Sequence, residues 1–189
     1  PRPFSHPAGH LPNHQTQARL MVFVGIDVGT SGVRAVAVRA SGEVLASEAR
    51  ALPPEDCAPG AHEQDPAGWW QTLAEVTRAL AQAVPASEIS GAAVTSTSGS
   101  LVVADVAGEP LRPGILYDDP RAGATPARMN ASYSLSKAVW VRETEPWVWE
   151  RMRYLLHPAD WLSGKLTGCL GVADYSNVLK LGWDLVAVN

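Results

Sequence analysis

From residue 21 onward, short apolar runs alternate with punctuation rich in Gly, Pro, Ser and Asp, and each run carries a readable period. Met21 to Asp27 is a β-branched and aromatic stretch ending in a carboxylate, which predicts a buried strand. Two more strands follow at Val33 to Arg39 and Glu43 to Glu48, and the turns at Gly29 to Gly32 and Ser41-Gly42 are short enough for antiparallel hairpins. Pro53, Pro54, Pro59 and Gly60 mark a loop. Asp65 then supplies a helix N-cap with Pro66 at the first helical position. Trp69, Leu73, Val76, Leu80 and Val84 form one apolar stripe at helical spacing, on a helix that ends at Pro85. Ile89 to Thr95 and Leu101 to Val106 read as strands separated by Ser96 to Ser100, and a Gly108-Glu109-Pro110 turn follows. Helices are expected over Leu135 to Glu143, interrupted by Pro146, and over Ala159 to Leu166, stopped by Thr167-Gly168. The order predicts an α/β domain whose first three strands are antiparallel. A dinucleotide-binding unit would instead place its glycine loop between a strand and a helix.

Residues 1–20 have no apolar period and hold His6, His10 and His14 among prolines, so a flexible leader is expected there, and one domain over 21–189. Those histidines lack the ordered surroundings that a metal site needs. A net charge of −4 and a pI near 5.7 disfavour a nucleic-acid partner and fit a small-molecule one. The two cysteines, Cys57 and Cys169, form neither a zinc spacing nor a disulfide framework. With no signal-peptide layout and no bilayer-length apolar run, a soluble cytoplasmic protein without a membrane partner is expected.

The segment Gly25-Ile26-Asp27-Val28-Gly29-Thr30-Ser31-Gly32-Val33-Arg34 carries the most chemistry. Glycines permit close approach to a ligand, hydroxyls and backbone amides donate to phosphate oxygens, and a carboxylate at a strand end can hold hydrated magnesium. Alone, the pattern is equally that of an ordinary hairpin. It is not a Walker A loop, because GxxxxGK[ST] is absent.

This segment resembles the first phosphate motif of the actin, heat-shock chaperone and sugar kinase ATPases. Further stretches select the branch: Glu63-Gln64-Asp65-Pro66 with Trp69-Trp70, Leu111 to Arg121, Ser136 to Trp140, Glu145-Pro146, His157 to Leu162 with Leu166-Thr167-Gly168, and Ala173 to Asn177. In this order they resemble the FGGY carbohydrate kinase family, from Met21 to about Leu185, and its D-ribulokinase and xylulokinase-like branch. The resemblance implies an actin-like ATPase (ribonuclease H-like) fold, with a mixed sheet and helices on both faces. It also implies phosphoryl transfer from ATP, with Mg2+, to a sugar or polyol. By it Asp27 would organise magnesium through water, while Gly29, Thr30, Ser31 and Arg34 would face the nucleotide phosphates.

For the sugar, the resemblance points to the loop after the Ile89 to Thr95 strand and to the Tyr117 region. Xylulokinases usually carry Gln-Met-His in that loop and glycerol kinases Gln-Arg-Glu, whereas this chain has Thr97-Ser98-Gly99. A ketopentose such as ribulose or xylulose is expected, contacted by Ser96, Thr97, Ser98, Tyr117, Asp118, Asp119 and Arg121, whose hydroxyls and carboxylates match sugar hydroxyls. Ser96 to Ser100 is also the composition of a plain polar turn. The tryptophans at 69, 70, 140, 147, 149, 161 and 183 are expected to pack in the core or at interfaces. Asp174 is expected to cap a turn and His157 to be a satisfied histidine.

Two departures from the family bear on function. The stretch from Arg121 to Ser134 is shorter than usual. The family's catalytic base is an aspartate expected after Asn189, in a Gly-rich stretch that precedes a second, nucleotide-clamping domain. This chain alone is therefore expected to be inactive and to expose an apolar interdomain face, with homodimerisation as one consequence. The alternative is a non-catalytic short relative that uses the cleft for binding. A ribonuclease H-like nuclease would need further acidic strand ends that are not found.

Overall fold

The structure is a computed structural model that describes residues 21–55, 57–124 and 129–183. The leader expected over 1–20 lies outside the described residues. Strands β1 (Val22–Val28), β2 (Gly32–Arg39) and β3 (Val44–Ala51) form consecutive antiparallel hairpins, and in β1 and β2 the buried Val22, Val24, Ile26, Val28, Val33, Ala35 and Ala37 alternate with outward Phe23, Gly25, Asp27, Arg34 and Val36. Then come β4 (Glu63–Gln64) and helix α1 (Pro66–Ala83), followed by β5 (Ile89–Ser96), which joins β1 in parallel. The sheet order is β3-β2-β1-β5.

Helix α1 starts where the sequence places it. The Asp65 carboxylate accepts from the Ala67 amide at 2.9 Å and Pro66 occupies the first turn, where a missing N–H costs nothing. Its stripe of Trp69, Leu73, Val76 and Leu80 is at most 2% exposed and packs on Val22, Val24, Ile26, Val33 and Ala35. Each such side chain contributes about 1.5–3 kcal/mol by leaving water.

β6 (Val102–Ala104) is shorter than the expected Leu101 to Val106 strand and does not join the main sheet. It pairs antiparallel with β8 (Tyr154–Leu156), while β7 (Gly114–Ile115) pairs with β4. Asp105 ends β6, because its carboxylate turns back to accept from the Ala107 and Glu109 amides. Helices α2 (Ser134–Thr144), α3 (Pro146–Arg151), α4 (Pro158–Thr167) and α5 (Tyr175–Leu179) complete the described chain. Gly168 closes α4 in the left-handed conformation, φ 72°, its amide donating to Gly164. Among the described residues no helix is long and apolar enough to cross a membrane.

Helix α1 covers one face of the main sheet. On the opposite face the outward row of Gly25, Asp27, Arg34, Val36, Ala93 and Thr95 lines an open hollow of about 450 Å3. Of the tryptophans, Trp69 and Trp161 are core, 2% exposed, whereas Trp147 and Trp183 are 56% exposed and pack little. Helical spacing alone does not decide which tryptophans the core covers.

Candidate functional site: a turn and a loop at the carboxyl ends of two parallel strands

The β1–β2 turn is tight. The Gly29 amide donates to the Gly32 carbonyl at 2.9 Å, and Thr30 and Ser31 sit exposed at its tip. Gly32 is required by the neighbouring strand more than by a ligand, since a Cβ there would lie 2.6 Å from the Arg50 carbonyl oxygen. Among the described residues the Thr30 and Ser31 amides donate to no protein acceptor, and both residues are exposed on a Gly-flanked turn where such amides can serve a ligand. Asp27 and Arg34 are cross-strand partners on the open face, 3.6 Å apart and both more than half exposed. A carboxylate with one long, wet ion pair retains lone pairs for the waters of a magnesium ion, which characteristically takes one or two carboxylates and completes its shell from phosphate and water. The residues present therefore fit that ion.

The parallel pairing of β1 with β5 brings the polar loop to the same end. Thr95 stands beside Asp27 in register, and the Thr97 amide donates to the Val28 carbonyl at 3.2 Å. Gly29, Thr30, Thr97, Ser100 and Leu116 share one small cleft. Ligands of parallel sheets bind at such carboxyl ends. Within the loop Ser98 is exposed and Thr97 half-buried, but Ser96 accepts from the Ala159 amide at 3.0 Å, so its hydroxyl caps α4. Gly99 has φ 91° and a Cβ there would fall 2.2 Å from the Ser132 carbonyl oxygen, so this position admits glycine only.

Tyr117 and Asp118 are exposed and adjoin this end of the sheet, with Asp118 3.3 Å from the His62 ring. Asp119 and Arg121 are turned inward. The Asp119 side chain is 0% exposed; its oxygens accept from the His62 amide at 2.9 Å, the Arg121 amide at 2.9 Å and the Arg121 guanidinium at 2.6 Å. Burial pushes this carboxyl up, but the Arg121 hydrogen bond and the two backbone amides outweigh it and hold it below its ordinary value. The same bond to Asp119 raises Arg121. Both groups are thus occupied in folding the loop that presents Tyr117 and Asp118.

Sequence reasoning missed the groups that carry this arrangement. Glu63 bridges Arg112 and Arg121, whose guanidiniums lie 5.1 and 4.5 Å from the Trp140 ring centre. Burial lowers Arg112 despite its carboxylate neighbours Glu63 and Glu145. Lys137, 0% exposed, donates to the Tyr117 carbonyl at 3.2 Å and to that of Ala131; burial pushes it down to about 8 against the pull of Asp119 and Asp118. The only signal was the presence of Glu63, Arg112 and Lys137 within otherwise unexplained motifs.

Ser134, His157 and Asp160 form a hydrogen-bonded series, Oγ to Nε2 at 2.7 Å and Nδ1 to Oδ2 at 3.1 Å. The carboxylate makes Nδ1 the donor, so Nε2 accepts from the serine. Ser134 and His157 are 0% exposed, so no substrate reaches the hydroxyl, and the series ties the start of α2 to the start of α4. His157 is thus a satisfied buried histidine, and Asp174 caps α5 by accepting from the Asn177 amide at 3.0 Å.

Comparison with known proteins bears on this end of the sheet. The model of the FGGY family of carbohydrate kinases, N-terminal domain, matches residues 22–130. Xylulose kinase of Escherichia coli is 27% identical over 181 residues, covering 88% of this chain and 37% of that protein. Xylulose kinase of Streptomyces coelicolor is 30% identical, covering 85% and 36%. The crystal structure of xylulose kinase from Rhodospirillum rubrum superposes with a TM-score of 0.78 at 26% identity, covering 88% of this chain and 38% of that one. The chain spans little more than a third of the length of these relatives.

Proposed function

The chain belongs to the FGGY family of carbohydrate kinases, and we propose that the protein carrying it transfers the terminal phosphate of ATP to a hydroxyl of a ketopentose such as xylulose or ribulose. The observation that carries this reading is the junction of turn and loop, where the Thr97 amide donates to the Val28 carbonyl close to the Thr30 and Ser31 amides, which have no acceptor among the described residues. A phosphate donor and a polyhydroxy acceptor need adjoining sites for in-line transfer.

The residues divide as follows. Gly29, Thr30 and Ser31 receive phosphate oxygens through amides and hydroxyls, and Arg34 adds positive charge at the rim. Asp27 would hold magnesium through water, and the ion would supply positive charge against the nucleotide phosphates. Thr97, Ser98, Tyr117 and Asp118 accept from and donate to sugar hydroxyls, while Ser96, Asp119 and Arg121 shape the loops that carry them. The base that takes the proton of the attacking hydroxyl is, on the family pattern, an aspartate beyond Asn189. The relatives named above are xylulose kinases, which supports a ketopentose; the Thr97-Ser98-Gly99 loop keeps ribulose as a candidate.

The test is a coupled assay of ADP release by the complete gene product with Mg-ATP and, separately, D-xylulose, D-ribulose and glycerol. Turnover on a ketopentose with at least about tenfold preference over glycerol is expected. Absence of turnover on every ketose and polyol refutes the reading.

A further inference from the structure

β4 is two residues long, and consecutive strand residues point to opposite sides. Glu63 goes to the arginine pair under the Tyr117 loop. Gln64 goes the other way, to the β1–β2 turn, where its Nε2 donates to the Thr30 carbonyl at 2.7 Å. Its Oε1 accepts from the Trp69 indole at 2.9 Å, so both ends of the amide are specified and only one rotamer of the amide group satisfies them. Trp69 itself is fixed. It is 2% exposed, and Gly114 lies against it so closely that a Cβ would sit 2.5 Å from the ring. The backbone of β4 pairs with β7, Gln64 opposite Gly114, and the Leu116 amide donates to the His62 carbonyl at 2.9 Å.

We propose that Gln64 is a positioning residue for phosphate binding, holding the Thr30–Ser31 peptide so that its N–H faces the nucleotide. In a trans peptide the C=O and the following N–H point in opposite directions. With the Thr30 carbonyl drawn onto Gln64, the Ser31 N–H is directed away from the protein, and among the described residues it has no protein acceptor. Without Gln64 this exposed turn peptide is free to rotate about its flanking bonds. The rotated form turns the carbonyl oxygen outward, where it repels a phosphate instead of donating to it. The Asp65 N-cap and the α1 stripe do not depend on this bond, so the effect falls on the turn and leaves the core intact.

This rests on the kinase reading, and the experiment separates the two. Gln64→Glu keeps the acceptor for Trp69 and sets a carboxylate against the Thr30 carbonyl; Gln64→Leu removes both bonds at similar volume. In the complete gene product both variants are expected to raise KM for ATP about tenfold, on the scale of one lost hydrogen bond plus a misdirected donor. KM for the sugar should stay within about twofold, and the melting temperature of Gln64→Glu within a few degrees of wild type. An ATP KM unchanged in both variants overturns the proposal. So does a parallel rise in both KM values with a lowered melting temperature, which marks a merely structural residue. Should the wild type phosphorylate no sugar, the kinase reading falls, and hydrogen exchange at the Gly29 amide decides the turn's dependence on Gln64. Exchange about fivefold faster in Gln64→Glu upholds it, and unchanged exchange overturns it.

Discussion

Substituting Glu63 by Gln tests whether the loop carrying Tyr117 and Asp118 is held by one buried carboxylate. Glu63 lies between two guanidiniums stacked on the same Trp140 ring, an arrangement that places like charges side by side. Gln removes the charge at constant volume. Arg112 suffers most. Its side chain is 7% exposed, its Nε and Nη1 have no hydrogen-bond partner among the described residues, and its remaining carboxylate is Glu145, an ion pair at 3.3 Å from Nη1 without a hydrogen bond. Arg121 loses less, being 27% exposed and still bound to Asp119 at 2.6 Å. Breaking a buried pair by removing one partner costs about 3–5 kcal/mol. Because Glu145 and Asp119 compensate in part, the lower end applies, about 3 kcal/mol. For a chain of this size that is about 6–12 °C in melting temperature. Urea denaturation and calorimetry of wild type, Glu63→Gln, Arg112→Met and the double variant measure it. The double variant should recover at least about 2 kcal/mol relative to the sum of the singles, because neither Glu63's nor Arg112's buried charge is left without the other and the released Glu145 is partly exposed. A loss below about 1 kcal/mol for Glu63→Gln, or strict additivity, would refute the reasoning.

Other outcomes follow from single contacts. Lys137 has its folded-state value lowered to about 8 from 10.5, so between those values the unfolded chain binds more protons and stability rises with pH. Denaturation midpoints from pH 7 to 10.5 should show this rise, and Lys137→Met should flatten it. Asp119 is held below its ordinary value, so its stabilisation is present above the unfolded-state value and is lost as pH falls through the folded one. Acid unfolding of Asp119→Asn should accordingly lose part of its pH dependence below about pH 4. Gly114→Ala should cost about 1–3 kcal/mol in chemical denaturation, since the new methyl meets the Trp69 ring at 2.5 Å. Asp27→Asn in the complete gene product should lower Mg-ATP turnover at least about a hundredfold while leaving the melting temperature within a few degrees, because among the described residues the carboxylate's ion pair is the exposed one to Arg34.

Much of this molecule was legible from local pattern. The three opening strands, the Asp65 cap, the α1 stripe and the Gly168 stop all matched, because alternation, helical spacing and cap chemistry act within a few residues. The turn motif also marked the end of the sheet where the candidate site lies. Strands of two or three residues, β4, β7 and β8, escaped notice because they are too short for any period to show.

The sequence by itself determined which segments become strands and helices and which turn carries exposed hydroxyls and a carboxylate. It also carried the ordered motifs by which the family is recognised. Only the tertiary structure decided between neighbours of like chemistry. Asp118 faces outward and Asp119 inward because the His62 amide and the Arg121 guanidinium converge on one of them alone. Ser96 became a helix cap, Glu63 a bridge between arginines, and Gln64 a hold on a turn 34 positions away. Such roles depend on partners brought together by sheet pairing and core packing. No local spacing encodes them, because the directing contacts exist only once the chain has closed on itself.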